Sequence, residues 1–456
     1  MSKPKSAMPG LGDLQAMWQA SGLKQKLLFT ILMIAVFRLG AQVPVWGVHT
    51  EKIQQLMNSP GVAQTLGFLD MFSGGALTSV SVLALGIGPY ITASIIMQLL
   101  TVVIPRLEEL QKEEGEAGRR KISQYSRYLT VALAIFQSTL IVRLLASAGA
   151  VDPSVNIFWF YASSILSLTA GAVFALWVAE MITERGVGNG GSLLIFAGIL
   201  SRIPFYWGKT ETLVSGDPQK SFMLVVLLGI YLVTIGLIIV LQEATRKIFI
   251  ISAKRQIGNK VYGGQNTYIP FKINPAGVMP IIFAFAVLAF PSTLFAILKT
   301  QLQTGMAQGL QAQTGFLQAI VSFYERYMGA GGPVYILVEF LLIVFFTFFY
   351  SSIIPSMQPK EIADNLKKYG SSIPGIKPGR PTAEKLEEIL SRTIFIGAFA
   401  LAIITLIASS ATSLTGISTL AGLGATSLII MVGVALDTVN QIRVHLLARQ
   451  YEGFLK

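Results

Sequence analysis

The chain has 456 residues, of which 53% are hydrophobic and only 13% charged, against about 25% charged in an ordinary soluble domain. The apolar residues come in blocks of about 20, the length that crosses a bilayer, so the composition points to a polytopic membrane protein. The absence of cysteine excludes disulfides, thiolate metal sites and a cysteine nucleophile, and a formal net charge of +12 fits the cytoplasmic loops of a membrane protein better than a nucleic-acid surface.

The chain opens MSKPKSAMPGLGDLQAM, with neither an early apolar core nor a small-residue cleavage pattern, so no removable signal peptide is expected. After this N-terminal segment, residues 1–23, ten spans are expected near 24–44, 78–99, 122–142, 157–179, 190–207, 221–241, 276–298, 333–355, 393–412 and 421–442. Between the first two lies FLDMFSGGAL, residues 68–77, too apolar for an easy surface loop and too short to cross a membrane. GVGNGG, residues 186–191, leads into the fifth span and reads as a flexible turn, not as a nucleotide loop. The polar joint GKTETLVSGDPQK, residues 208–220, divides the spans five and five, giving halves 24–207 and 221–442. Five crossings is an odd number, so the second half enters from the opposite side, as in an inverted repeat.

Two long insertions follow. Residues 242–273 contain the strand-like runs IFII and TYIPFKI with Gly258-Asn259 as a turn, which predicts a β-ribbon. In residues 356–392, KEIADNLKK suits a short helix, the Pro/Gly-rich stretch to Pro381 an exposed turn, and Thr382 the cap of the next helix. A tail, residues 443–456, ends the chain. With the N-terminus inside, 27 of the 35 Lys and Arg fall on the inner side, seven on the outer side, and Arg38 within a span. The positive-inside rule therefore places both termini in the cytoplasm.

Catalytic chemistry is hard to assemble from these residues. There is no HExxH and no GxxxxGK[ST], and His49 and His445 fall on opposite sides of the membrane. No cofactor, no metal and no enzyme activity are expected. The ionisable residues of the spans are few: Arg38 lies near an outer end, Glu180 and Asp437 near inner ends, and Gln98 is uncharged. They read as interfacial anchors or structural pairs, leaving little at mid-depth to bind a proton or sodium ion.

Several stretches, in order along the chain, resemble the bacterial SecY family of protein-translocation channel subunits. They are FRLGAQVPVWG at 37–47, MFSGGAL at 71–77, LGIGPYITASIIMQLL at 85–100, EEGEAGRRKISQYSRY at 113–128, ITERGVGNGGSLLIFAGI at 182–199, AKRQIGNKVYGGQNTYIPFKIN at 253–274, ADNLKKYGSSIPGIKPG at 363–379 and GATSLII at 424–430. The resemblance implies an all-α membrane protein, with ten transmembrane helices in two pseudo-symmetric inverted halves around a central hourglass pore. It implies that 68–77 is a plug in the outer funnel, a short distorted helix carrying Phe68, Leu69, Asp70, Met71, Phe72, Ser73, Gly74 and Gly75. It places a ring of bulky aliphatics on Ile87, Ile91, Ile195, Ile282 and Ile430, with a sixth position on Gly191, where the family commonly has isoleucine and where Leu194 could fill the gap.

An apolar ring suits a path for unfolded chains, because aliphatic walls offer no specific partner to any side chain and a narrow constriction dewets against ions. The resemblance also implies a lateral gate between spans 2 and 7, flanked by spans 3 and 8. Gly86, Gly88 and Pro89 on one side, and Pro275, Gly277 and Pro280 on the other, would weaken the helices there. On the inner side, Lys254, Arg255 and Lys260 on the first loop and Lys367, Lys368, Lys377 and Arg380 on the second would dock a ribosome or the motor ATPase SecA. Lys377 stands where the family commonly has arginine, which loses the planar fork. The implied partners are the small subunits SecE and SecG, SecA, the ribosome, signal-bearing polypeptide clients and membrane lipids, at the bacterial plasma (inner) membrane. A solute transporter and a pore-less membrane scaffold or insertase remain the rival readings.

Overall fold

The computed structural model describes residues 22–49, 70, 73–112, 115–147, 149–252, 255–257, 260–262, 266–307, 315–327, 332–354, 358–417 and 424–454. One long helix answers each expected span: α1 (Leu23–Gly40), α2 (Gly88–Val103), α4 (Gly115–Ser147), α5 (Ile157–Arg185), α6 (Gly190–Val214), α7 (Pro218–Glu243), α8 (Met279–Ala307), α10 (Pro333–Ile353), α12 (Arg380–Thr415) and α13 (Ala425–Phe454). Three shorter helices join them: α3 (Pro105–Lys112), α9 (Gly315–Tyr327) and α11 (Pro359–Lys368). Six of the long helices, α4, α5, α7, α10, α12 and α13, are long and apolar enough to cross a membrane, and less than half of each apolar stretch is buried inside the protein. The rest is surface that only lipid or another protein can cover without cost.

Local chemistry sets the helix ends. The Asn156 side chain accepts the Phe158 N–H at 3.0 Å and caps α5. Asp217 does the same for Gln219 at 3.0 Å at the start of α7, with Pro218 in the first turn, where its missing N–H costs nothing. At the other extreme, α12 stops at Gly416 in the left-handed conformation.

The second span departs most from expectation. Residues 73–87 form a succession of turns, and helix begins only at Gly88. Gly86 has φ +52°, and Val80, a β-branched residue, is held at φ +45°, a conformation that α-helix does not allow. Likewise α1 stops at Gly40 because Pro44 is drawn into an antiparallel bridge with Ser81. In the second insertion α12 starts at Arg380, well before residue 393, and its cap is Gly379. Thr382, expected as the cap, lies inside the first turn, where its hydroxyl donates to the Lys377 carbonyl at 2.8 Å.

The first insertion is the expected ribbon. β1 (Thr245–Ser252) pairs antiparallel with β4 (Asn266–Lys272) in a register running from Thr245↔Lys272 to Ile251↔Asn266. β5 (Ser371–Ser372) adds to the free edge of β1, while β2 (Arg255–Ile257) and β3 (Lys260–Tyr262) pair as an outer hairpin. Its expected turn, Gly258-Asn259, lies outside the described residues.

By internal packing the chain forms two compact units. One takes in residues 1–205, 289–324 and 434–456, the other 206–288 and 325–433. In the first, Val45, Leu77, Val80, Ala84, Val142 and Phe160 close around the turn run and α4 and α5. In the second, Leu227 and Tyr231 of α7 pack with Ala411 and Leu428, and a separate cluster of Ile248, Phe271, Leu366 and Leu386 seats the sheet on α11 and α12.

Candidate functional site

Two short antiparallel contacts position the turn run at 73–87. The Val45 N–H donates to the Val80 carbonyl and the Val82 N–H to the Val43 carbonyl, both at 2.9 Å. On its other side, the same loop is held by the His49 N–H on the Ala150 carbonyl at 2.9 Å and the Asp152 N–H on the Gly47 carbonyl at 3.1 Å. The Asp152 carboxylate accepts the backbone N–H and hydroxyl of Ser154, which hold it below the usual carboxylate range. Helix α5 presses against the run at Gly171, where any side chain would strike the Val82 carbonyl oxygen.

At the head of this run is a buried polar seat. Asp70 is 2% exposed. Its Oδ1 accepts the Thr78 N–H at 2.6 Å, and its Oδ2 is paired with the Arg202 guanidinium of α6. Arg202 also donates to the Thr78 hydroxyl at 2.5 Å. From α1, Arg38 donates to the Gly74 carbonyl at 3.0 Å. Within the segment, the Gly75 N–H donates to the Asp70 carbonyl at 2.7 Å, and the Ser73 hydroxyl donates to the same carbonyl at 3.0 Å. Gly74 and Gly75 sit at φ +67° and +94°. A Cβ on Gly74 would meet the Arg38 guanidinium and stand 2.8 Å from the Gly198 Cα. Both glycines therefore admit guanidinium groups and a left-handed turn, beyond the hinge role that the sequence suggests.

Arg38, read from the sequence as an interfacial anchor or a paired group, is the second kind: it turns inward to the Gly74 carbonyl. Arg202 is the residue that sequence reasoning missed, counted only among the outer charges. The available sign was one acidic residue, Asp70, in a greasy stretch that had to find a cation. Phe68, Leu69, Met71 and Phe72 of the expected plug lie outside the described residues.

Ile87 caps α2, Ile91 lies in its first turn, and Gly191 and Ile195 lie in the first two turns of α6. The Ile87 Cδ1 comes within 3.4 Å of where a Gly191 Cβ would stand. Ile87, rather than Leu194, is thus the aliphatic group found against the missing side chain. In the other unit, Ile282 opens α8 and Ile430 lies in α13, both fully buried. Ile87 and Ile195 are buried as well, whereas Ile91 is half-buried.

The turn at 186–190 is pinned, not flexible. The Val187 N–H donates to the Thr30 hydroxyl of α1 at 3.0 Å, the Gly188 N–H to the Gln441 side-chain Oε1 of α13 at 2.9 Å, and the Gly190 N–H to the Thr183 hydroxyl of α5 at 2.9 Å. These three donors have side-chain acceptors and the Gly186 N–H has the Ile182 carbonyl, which leaves none of the four to cradle a phosphate.

Of the other ionisable groups, Glu180 pairs with Arg127 of α4 at 2.7 Å. Gln98 donates to the Ser94 hydroxyl at 3.2 Å. Glu339, passed over in the apolar run of α10, is buried, and its Oε1 has no hydrogen-bond partner among the described residues. No group of His, Asp and Glu among the described residues is placed to hold a metal ion. At the expected gate, Gly277 has φ +62° and its carbonyl accepts from the Asn274 side chain at 2.9 Å.

The expected docking residues are less uniformly placed. Lys367 and Lys368 end α11 and are exposed, as is Lys377. Arg380 is exposed too and pairs with Glu384 at 2.9 Å. Arg255 and Lys260 lie on the β2–β3 hairpin, and Lys254 lies outside the described residues.

The sequence pattern of the SecY family matches residues 81–439. The protein translocase subunit SecY of Synechocystis sp. is 44% identical over 443 residues, covering 96% of each chain. That of Thermotoga maritima is 40% identical over 453 residues, covering 96% of this chain and 98% of its own. A solved structure described as "The structure of a protein conducting channel" superimposes with a TM-score of 0.63 at 18% identity, covering 92% of both chains. Sec61 in a canine ribosome-channel complex from the endoplasmic reticulum gives 0.58 at 16% identity, again over 92% of both. These two structures share its fold, and the sequence match establishes the kinship: the chain belongs to the SecY family.

Proposed function

We propose that this chain is the channel-forming subunit of a protein translocase, passing unfolded secretory polypeptides across the bacterial plasma membrane and releasing apolar helices sideways into lipid. The observation that carries the reading is its identity, over nearly the whole length, to proteins named protein translocase subunit SecY. In this reading Ile87, Ile91, Ile195, Ile282 and Ile430 form the collar, with Gly191 at the sixth place, and the segment 68–77 is the plug. Spans 1–5 and 6–10 are the two halves around the pore, and both termini face the cytoplasm. Arginine and lysine on the inner loops support that orientation by the positive-inside rule. The chain supplies no nucleotide loop, so the driving force belongs to partners, a ribosome or SecA, with SecE and SecG as companion subunits.

The decisive experiment is site-specific crosslinking from Ile87 or Ile282 to a stalled secretory precursor. Crosslinks at both positions are the expected result; their absence, with crosslinks only at the loops, overturns the channel reading in favour of a scaffold. The cysteine-free sequence allows a second test. Disulfides introduced between α2 and α8 should block export, and unimpaired export by the locked protein would remove the lateral gate.

Exposed Lys367, Lys368 and Lys377 suit a partner rich in phosphate or acidic groups. Reversing Lys367 and Lys368 to glutamate is expected to weaken ribosome binding at least tenfold at low salt and to flatten its salt dependence. An unchanged salt slope, measured by co-sedimentation, would reduce these charges to topology signals.

A further inference from the structure

We propose that Asp70, Arg202 and Arg38 form a charge latch that holds the segment around Gly74 in its seat, and that breaking the Asp70–Arg202 pair is the step that frees it. This rests on the proposed plug role of residues 68–77 and goes beyond it by naming the groups that set its resting position.

The geometry is specific. One carboxylate, buried to 2% exposure, is gripped from outside its own segment by Arg202 of α6, and a second guanidinium from α1 holds the Gly74 carbonyl. Arg38 lies within electrostatic reach of both Asp70 and Arg202. Thr78 closes the ring, giving its N–H to Asp70 and accepting Arg202 on its hydroxyl. Apart from the Ser79 hydroxyl on the Ala41 carbonyl at 3.5 Å and the packing of Leu77 into the cluster with α4 and α5, the described contacts of residues 70 and 73–79 stay within the turn run, such as Gly75 N–H on Asp70 and Leu77 N–H on Ser73. The internal bonds keep its shape, whereas the two arginines are the described polar contacts that reach it from the long helices.

The charges do not balance. Among the described residues two guanidinium groups face one carboxylate, and Arg38 Nη1 and Arg202 Nε are buried with no hydrogen-bond partner. A buried pair that loses one member leaves an uncompensated charge, which costs far more than the pair contributes. Neutralising Asp70 therefore does more than weaken a contact: it puts two unmatched cations against the seat and drives the segment out. The latch is strong while intact and collapses at once when its single anion is lost or drawn away.

The test uses the full-length chain in its purified membrane complex, reconstituted into planar bilayers without client polypeptide. Asp70→Asn and Arg202→Gln are each expected to raise resting ion conductance at least tenfold, and the charge swap D70R/R202D to bring it back to within threefold of the parent. Excision of residues 68–77 is the control. If excision raises conductance but neither single variant does, the latch is refuted and the plug reading stands. If excision changes nothing, the plug reading itself fails and the latch with it. An independent readout covers variants that accumulate poorly. With Ser73→Cys as reporter, labelling by a membrane-impermeant maleimide from the outer side, normalised to inserted protein, should accelerate at least tenfold in Arg202→Lys or Asp70→Asn. Labelling at the parent rate in both would overturn the proposal, whatever the thermal stability of the variants.

Discussion

Gly171→Val should cost about 3 kcal/mol of stability, at the top of the usual range for overpacking. The obstruction is main chain, not a side chain that can rotate away. A Cβ at residue 171 would overlap the Val82 carbonyl oxygen and lie within 2.7 Å of its carbon. Val82 cannot retreat, because its N–H is committed to the Val43 carbonyl and its neighbour Val80 to Val45. Relief requires either lifting α5 from the turn run or breaking this small antiparallel contact. Gly229 of α7 is the matched control, since a Cβ there meets nothing within 4 Å. Gly229→Ala should be neutral or stabilising by up to about 1 kcal/mol, the helix-propensity gain. Thermal unfolding in detergent separates the two. Equal melting of Gly171→Val and Gly229→Ala would mean that α5 does not approach the run as closely as described.

Gly74→Ala is expected to unseat the polar segment while leaving the fold intact. Alanine at φ +67° costs about 1–2 kcal/mol on backbone grounds alone. Its methyl group would also displace the Arg38 guanidinium and crowd the Gly198 main chain. A combined penalty of about 3 kcal/mol changes the ratio of seated to unseated forms about 100-fold. The measurement is resting conductance beside thermal stability: leak should rise at least tenfold with little change in melting. A fall in melting temperature without added leak would assign Gly74 to folding alone.

Much of the fold could be read from the sequence because apolar blocks of bilayer length announce themselves. Each of the ten expected spans found its helix. The ribbon at 245–272 was equally plain, since β-branched runs flanking a turn pair with few alternatives. What failed was the start of the second span. TSVSVLALGIG is as apolar as a helix needs, but Gly86, the bridge from Ser81 to Pro44 and the strained Val80 divert it into turns. Periodicity cannot report a partner strand that lies more than 35 residues upstream. The seat was hidden for the same reason. Asp70 and Arg202 lie 132 positions apart, and nothing local in either predicts the other. The collar positions came from family resemblance, since a lone buried isoleucine is ordinary packing on composition alone. Glu339 was overlooked because a single carboxylate in PVYILVEFLLIVFF disturbs no average.

The tight corner between α5 and α6 has a mechanical meaning. Three of its backbone donors are tied to Thr30, Thr183 and Gln441, side chains from three different helices. Gln441 lies in the second half of α13, and the corner runs directly into Gly191 and Ile195. A displacement of α13 at Gln441 would thus be transmitted as a lever stroke to the head of α6.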